Sequence, residues 1–483
     1  MNPSLVLKNN PDYFISPSSG RFVFVPLTIQ FLFIKNPYLA HVNTFLIMNR
    51  INALFCGLFV CASLNSTAQK STSPVVDNAY ITTILNTLAS DEMRGRSALT
   101  KDIEKAADYI AGEFQSIGLE PYAEKNYRQT FQVQKISPSI PKVSIDQTTI
   151  SPENVLILSR VKDLYLDAKS GAKVLKIEAG SDFSEEFRKI VQSGIQNAIV
   201  QVDPSFKDLF KRFQKIYGKE SLVAEGNAVF TNSFVFILGH QISDNYQIEL
   251  KNNYETIPMF NVAGIIPGKS KANEFVIFSG HYDHIGILVP EGQDSIANGA
   301  DDDASGVTAM IALAKHFKKV NKNERTLIFV AFTGEELGMY GSTYFSKHIN
   351  PDQVTAMINM EMIGKDSKFG PNTMYITGYN QSNLGELMQQ NLKGSKFKFY
   401  PDPYPQQNLF YRSDNAVLAA QGVPAHSFST SQMDQDTYYH TVKDEVSTLN
   451  IENIKASIEA IAIGITGIVN GKQTPSRVEK LRE

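Results

Sequence analysis

Apolar residues first recur at helical spacing shortly after residue 75. Ile81, Ile84, Leu85 and Leu88 would share one face of a helix expected across 77–99. Ile103, Ala106, Ile110, Phe114 and Ile117 do the same across 102–119, where Gly118 offers a C-cap and Pro121 bars continuation. From about 130 to 254 the texture changes. Val143-Ser144-Ile145 alternates, 155–158 is continuously apolar, and a helix at 183–193 leads into an apolar strand at 197–202. From 258 onward apolar strands are expected at 275–279, 326–332, 355–360, 373–377 and 425–429, with helices at 306–317 and 449–469. Strands alternating with helices predict an α/β fold: a mostly parallel central sheet covered by helices on both faces, with a smaller inserted α/β or β-rich domain. Ligands of such sheets bind outside the carboxyl ends of the strands.

The first seventy or so residues read differently. Residues 22–34 are apolar, but the run is short and contains Pro26, so it falls below the roughly 18 residues of a spanning helix. Met48-Asn49-Arg50 supplies a positive start, 51–64 is largely apolar, and Ser66-Thr67-Ala68 has the small residues of a cleavage site. Residues 48–68 are therefore expected to be a secretory signal peptide, with Gln69 as the mature N-terminus and 1–47 as a non-native or disordered extension. The rival is an internal anchor helix. Lipidation at Cys61 is disfavoured by the bulky Phe59-Val60 before it. Both cysteines, Cys56 and Cys61, lie in the expected signal. The mature chain then has no disulfide, no thiolate ligand and no cysteine nucleophile, which suits an exported protein of the bacterial periplasm or exterior.

The length of 483 residues suggests two to four domains. The expected division is N-terminal helices at 69–129, an insert at 130–254, the main α/β domain at 255–472 and a tail at 473–483. A composition 42% hydrophobic and 20% charged excludes collagen-like and wholly disordered chains, and a net charge of −3 gives no footprint for nucleic acid.

Candidate chemistry collects where the strands end. The 275–279 strand runs into Gly280-His281-Tyr282-Asp283-His284, where an acid two residues after a histidine can fix its tautomer. Gly299-Ala300-Asp301-Asp302-Asp303-Ala304-Ser305-Gly306 stacks three carboxylates that repel without a cation, ahead of a helix start that eases the charge. It lacks the alternating oxygens and closing Glu of an EF-hand. The 326–332 strand ends in Thr333-Gly334-Glu335-Glu336, adjacent acids of which one can bind a metal while the other remains a base. Glu361 sits between methionines, costly unless paired or metal-bound, and His440 lies in Tyr438-Tyr439-His440-Thr441. Each feature alone is more often a solvated or structural group. Together, two histidines and three carboxylates make a mixed nitrogen and oxygen set suited to zinc, and a carboxylate shared between two ions makes a hydrolytic two-metal site.

The segments GHYDHIG, GADDDASG, FTGEELG, NMEMIG and YHT, in this order, resemble the co-catalytic dizinc exopeptidase family. That family includes bacterial leucyl aminopeptidases, glutamate carboxypeptidase and the non-catalytic transferrin receptor. The resemblance covers about 73–119 and 258–471 and includes Met93-Arg94-Gly95-Arg96; the insert resembles a degenerate protease-associated domain. The resemblance implies two zinc ions per chain. His281 and Glu361 would hold one, Glu336 and His440 the other, and Asp302 would bridge both. Glu361 stands where the family usually has Asp. Asp283 would orient His281, Glu335 would be the general base, and Tyr439 would donate to the oxyanion. Asp301 and Asp303 would be spectators or stand behind the ligands; apart from the resemblance, His284, three residues after His281, is expected at most behind the ligands.

The implied activity is that of an exported aminopeptidase acting on peptides with a free N-terminus, without nucleic acid and without a stable membrane span. Carboxypeptidase action would want a basic pocket, for which Arg412 alone is thin. Glutaminyl cyclisation on this scaffold is disfavoured by the intact Glu335-Glu336 pair. A binding protein with a relic site would be expected to have lost ligands, and only the change to Glu361 points that way. No H-E-x-x-H, G-x-S-x-G or P-loop occurs. His240, His316 and His348 are expected at the surface or in structural roles, and His426 in the core.

Overall fold

A computed structural model describes residues 75–224 and 231–481. The expected extension and signal peptide lie outside these residues. Among the described residues no helix is long and apolar enough to cross a membrane.

Four strands form the parallel heart of the large sheet, in the order Ala425–Ser429, Val354–Met360, Lys271–His281 and Arg325–Phe332. All side chains of the 325–332, 354–360 and 425–429 strands are buried, as expected of parallel strands covered on both faces. The edges are mixed. Thr373–Ile376 pairs antiparallel to Ala425–Ser429, and Tyr246–Ile266 pairs antiparallel to Arg325–Phe332. The pleat divides the core. Val276 and Phe278 pack with Ile84, Phe114, Ile311 and Ile458 from the helices Asn78–Leu88, Ile103–Ile117, Gly306–Val320 and Ile451–Gly464. Ile277 faces the other way, toward Phe345 and Leu418 from Tyr340–Lys347 and Asn415–Ala420.

The sequence pattern anticipated the parallel strands and the helices of one face, but not the helices Tyr340–Lys347 and Asn415–Ala420 or one long strand. Tyr246–Ile266 is a single 21-residue strand. Its later half joins the large sheet, while its earlier half pairs with Lys142–Ile145 and Asp163–Asp167. The expected domain boundary at 254 falls inside it. Polar residues alternate through Gln247, Glu249 and Lys251, whereas 259–264 is wholly buried, so the change of texture marks a change of environment along one strand. Between these strands lies a separate four-stranded sheet, Val155–Ser159, Ser233–Leu238, Asn197–Val202 and Lys173–Ile177, with Phe183–Val191 and Lys207–Tyr217 packed on one face through Phe183, Phe187, Phe210 and Phe236. The expected helix at 77–99 stops at Leu88 and gives way to a tight turn, Asp91–Arg96.

Candidate metal centre

Strand termini deliver the chemistry to one place. His281 is the last residue of its strand, Glu361 follows the strand ending at Met360, and Glu335 and Glu336 follow the strand ending at Phe332. Asp302 comes from the turn that opens the Gly306–Val320 helix, and His440 from the loop after Ala425–Ser429.

The three consecutive acids are separated by what each carboxylate accepts. Asp301 Oδ1 takes the Gly364 N–H at 2.7 Å. Asp303 takes three backbone N–H groups: Oδ2 that of His281, and Oδ1 those of Gly306 and Met362, at 3.1–3.2 Å. Asp302 is left to face the histidines. Its Oδ1 is 3.1 Å from His281 Nε2, and its Oδ2 is 3.2 Å from His440 Nε2. Around the first oxygen, His281 Nε2 lies 3.6 Å from Glu361 Oε1. Around the second, His440 Nε2 lies 3.0 Å from Glu336 Oε2.

Two groups of metal-competent side chains result, His281–Asp303–Glu361 and His284–Asp302–Glu336–His440. Asp303 belongs to the first by distance, but its oxygens are already engaged by backbone N–H donors. Asp302 Oδ1, nearer His281 Nε2, is the better-placed ligand. Within the second group His284 Nδ1 is hydrogen-bonded to Glu336 Oε1, but the contact between Asp302 and His440 is close without being a hydrogen bond. Asp302 Oδ2 and His440 Nε2 are buried and lack a hydrogen-bond partner among the described residues, although only 3.2 Å apart. Atoms that converge this way without alignment, all of them nitrogen or oxygen donors, fit a divalent cation between them.

The electrostatics agree with a clustered site. Burial works against the Asp302 carboxylate, but His281 and His440 overcome it and hold Asp302 well below the usual carboxylate range. Burial would depress His440, but Asp302 and Glu336 raise it to about 10. Burial, with Glu361, Asp414 and Glu336 nearby, pushes Glu335 well above an ordinary glutamate even though His281 pulls the other way. No hydrogen bond from the described residues reaches the Glu335 carboxylate, while its backbone N–H donates to Asp283 Oδ1 at 3.2 Å.

Sequence reasoning expected the Asp283 carboxylate to orient His281. In the structure His281 Nδ1 lies 3.0 Å from the Asp283 backbone carbonyl and 3.9 Å from its Oδ1. The carbonyl fixes the tautomer and leaves Nε2 to face Asp302. The Asp283 carboxylate holds the Glu335 turn instead, and burial raises it to about 6. Tyr439 stacks on His440 with ring centroids 3.8 Å apart and stays 44% exposed.

Four supporting residues escaped the sequence. Ser413 donates to Glu361 Oε2 at 2.6 Å and in turn receives Asn359 Nδ2 at 2.8 Å. Asn359 is a polar residue inside an apolar strand, which was the available signal. Asp444 accepts the backbone N–H groups of Asp301 and Asp302, setting the acidic turn from a distant loop that no spacing announces. Arg96 was noticed only as part of a motif. It is fully buried and donates to the carbonyls of Tyr282, Leu88, Asn298 and Gly299.

Residues 261–463 match the family model of peptidase family M28. The aminopeptidase YwaD of Bacillus subtilis is 22% identical over 227 residues, 46% of this chain and 47% of its own length. A vacuolar membrane protease of Eremothecium gossypii is 28% identical over 187 residues, 33% of this chain and 17% of its own. The chain thus spans less than half the length of these relatives. The solved structure of BSAP, a zinc aminopeptidase from Bacillus subtilis, superposes with a TM-score of 0.50 at 18% identity, covering 84% of this chain and 99% of its own, a likeness of fold. The order of the motif-bearing strand ends, the fold and the family match coincide, and residues 261–463 are a domain of peptidase family M28.

Proposed function

We propose that this protein is an exported zinc-dependent aminopeptidase that removes N-terminal residues from peptides at a two-zinc centre. The observation that carries the reading is the division of Asp302, with one oxygen beside His281 and the other beside His440. His281, Glu361 and Asp302 Oδ1 would hold one zinc ion, and Glu336, His440 and Asp302 Oδ2 the other. When bound there, the pair of ions would polarise the scissile carbonyl and acidify the attacking water.

The chain's own groups do the rest. Glu335, free of hydrogen bonds from the described residues and raised above an ordinary glutamate by burial, takes a proton from the attacking water and delivers it to the leaving amine. Asp283 holds the turn that aims Glu335. Tyr439, half exposed beside His440, donates to the oxyanion as it develops. The density of carboxylates favours a cationic α-amine over a C-terminal carboxylate. Export rests on the signal-like segment at 48–68.

The test is product mass spectrometry on free, N-acetylated and N-terminal Gln peptides, with and without chelator. Loss of single N-terminal residues, abolished by chelator and by acetylation, is expected. Loss from the C-terminus, or loss of ammonia from the Gln peptide, would assign a sister activity to the same site. No reaction after zinc is restored would favour a binding protein.

A further inference from the structure

His284 belongs to the same short segment as His281 but faces the second group. Its Nδ1 lies 2.7 Å from Glu336 Oε1 and 3.8 Å from Asp302 Oδ2. The segment beneath the ring is fixed as well. The His284 backbone N–H donates to the Arg96 carbonyl at 3.2 Å. Arg96 also donates to the carbonyl of Gly299, and Gly299 is held at a φ of +56° with the ring so close that any Cβ there would lie 2.6 Å from it. The imidazole is 1% exposed, and its Nε2 has no hydrogen-bond partner among the described residues.

That orphan nitrogen separates two roles. Were Nδ1 a metal ligand, the ring proton would sit on Nε2, a buried donor with nothing to accept it. With the proton on Nδ1, the donor is satisfied by Glu336 and only a lone pair is left bare, the cheaper arrangement. We propose that His284 is a positioning residue of the second metal position: as an Nδ1–H donor it occupies Glu336 Oε1 and so presents Oε2 toward His440 and the ion. Hydrogen bonds to ligating carboxylates of this kind set ligand orientation and basicity. Tyr282 and Asp283 turn the backbone so that one four-residue segment serves both positions, His281 from within and His284 from behind Glu336.

This inference rests on the two-zinc reading, and its test reads metal binding rather than turnover. The full chain is stripped with chelator and titrated with Zn²⁺ against a chromophoric competitor, then with Co²⁺ for its absorption spectrum. His284→Ala should weaken one of two binding events by about 10–100-fold. His284→Asn, whose amide can replace the Nδ1–H, should recover most of that loss, with a Co²⁺ spectrum matching the wild type. His284→Leu keeps the volume and should behave as Ala, so a chain destabilised by the cavity does not decide the matter. Equal affinity in wild type and His284→Leu would overturn the proposal. So would an Asn variant that stays weak with a changed Co²⁺ spectrum, which would make His284 a ligand. A wild-type chain that binds fewer than two ions would overturn the two-zinc reading itself.

Discussion

Replacing Arg96 by Met tests whether the site is held together from beneath. The guanidinium makes four hydrogen bonds of 2.6–2.9 Å, and three of the carbonyls it serves, those of Tyr282, Asn298 and Gly299, belong to the segments that carry His281 and the acidic turn. Methionine fills much of the same space but leaves four buried carbonyls bare. A hydrogen bond to a charged donor is worth about 1.5–3 kcal/mol. Removing the burial of an unpaired cation returns part of the sum, since burial lowers the pKa of Arg96 even against the pull of Asp302 and Asp444. A net loss of about 3–5 kcal/mol follows, close to what breaking a buried charged contact costs elsewhere and a large share of a domain's stability. The chain contains no tryptophan, so urea unfolding is best followed by far-UV circular dichroism. The variant should also bind zinc more weakly, because the His281 and Asp302 backbones lose a shared anchor. A loss below about 1 kcal/mol with unchanged zinc affinity would refute the reasoning.

Three further outcomes follow from the same geometry. Glu335→Gln should lower kcat by about 10²–10⁴-fold while two zinc ions are retained; a near-wild-type kcat would remove Glu335 as the base. Ser413→Ala leaves Glu361 Oε2 without its 2.6 Å donor and should weaken zinc binding about tenfold with little change in the unfolding midpoint, as metal titration would show. His426, buried between Ser382 Oγ and the Thr377 carbonyl, is lowered by burial from 6.5 to about 4. The unfolded chain therefore binds a proton that the folded chain refuses, so stability is full above pH 6.5 and falls as pH drops toward 4, by about 2 kcal/mol at pH 5. His426→Gln should flatten that part of the thermal-stability profile, and an unchanged profile would contradict it.

How much could be read from the sequence differs between the parts of the molecule. The parallel strands were legible because burial on both faces writes them as unbroken apolar runs, as in 326–332. The residues that follow those strands were legible only as a set, since each alone is more often a solvated or structural group and it is their recurrence after several strands that points to a metal. The structure brings His281, Asp302, Glu336, Glu361 and His440 together as the motif order implied. What stayed hidden was held by contacts remote in sequence. Asp444 sets the acidic turn from 142 residues away, and Arg96 reaches Gly299 across 203. The His281 tautomer was assigned to a side chain when a backbone carbonyl does the work, because a sequence does not show which oxygen of Asp283 a turn brings near. The long strand at 246–266 was missed because its two halves lie in different sheets and carry different patterns.

The central claim is that Asp302 divides its two oxygens between two metal ions. Crystals of the zinc-loaded protein measured at the zinc absorption edge test it most directly. The account predicts two anomalous peaks about 3.5–4 Å apart, one bounded by His281 and Glu361, the other by Glu336 and His440, with the Asp302 carboxylate between them. A single peak, or two peaks that do not share Asp302, would contradict it.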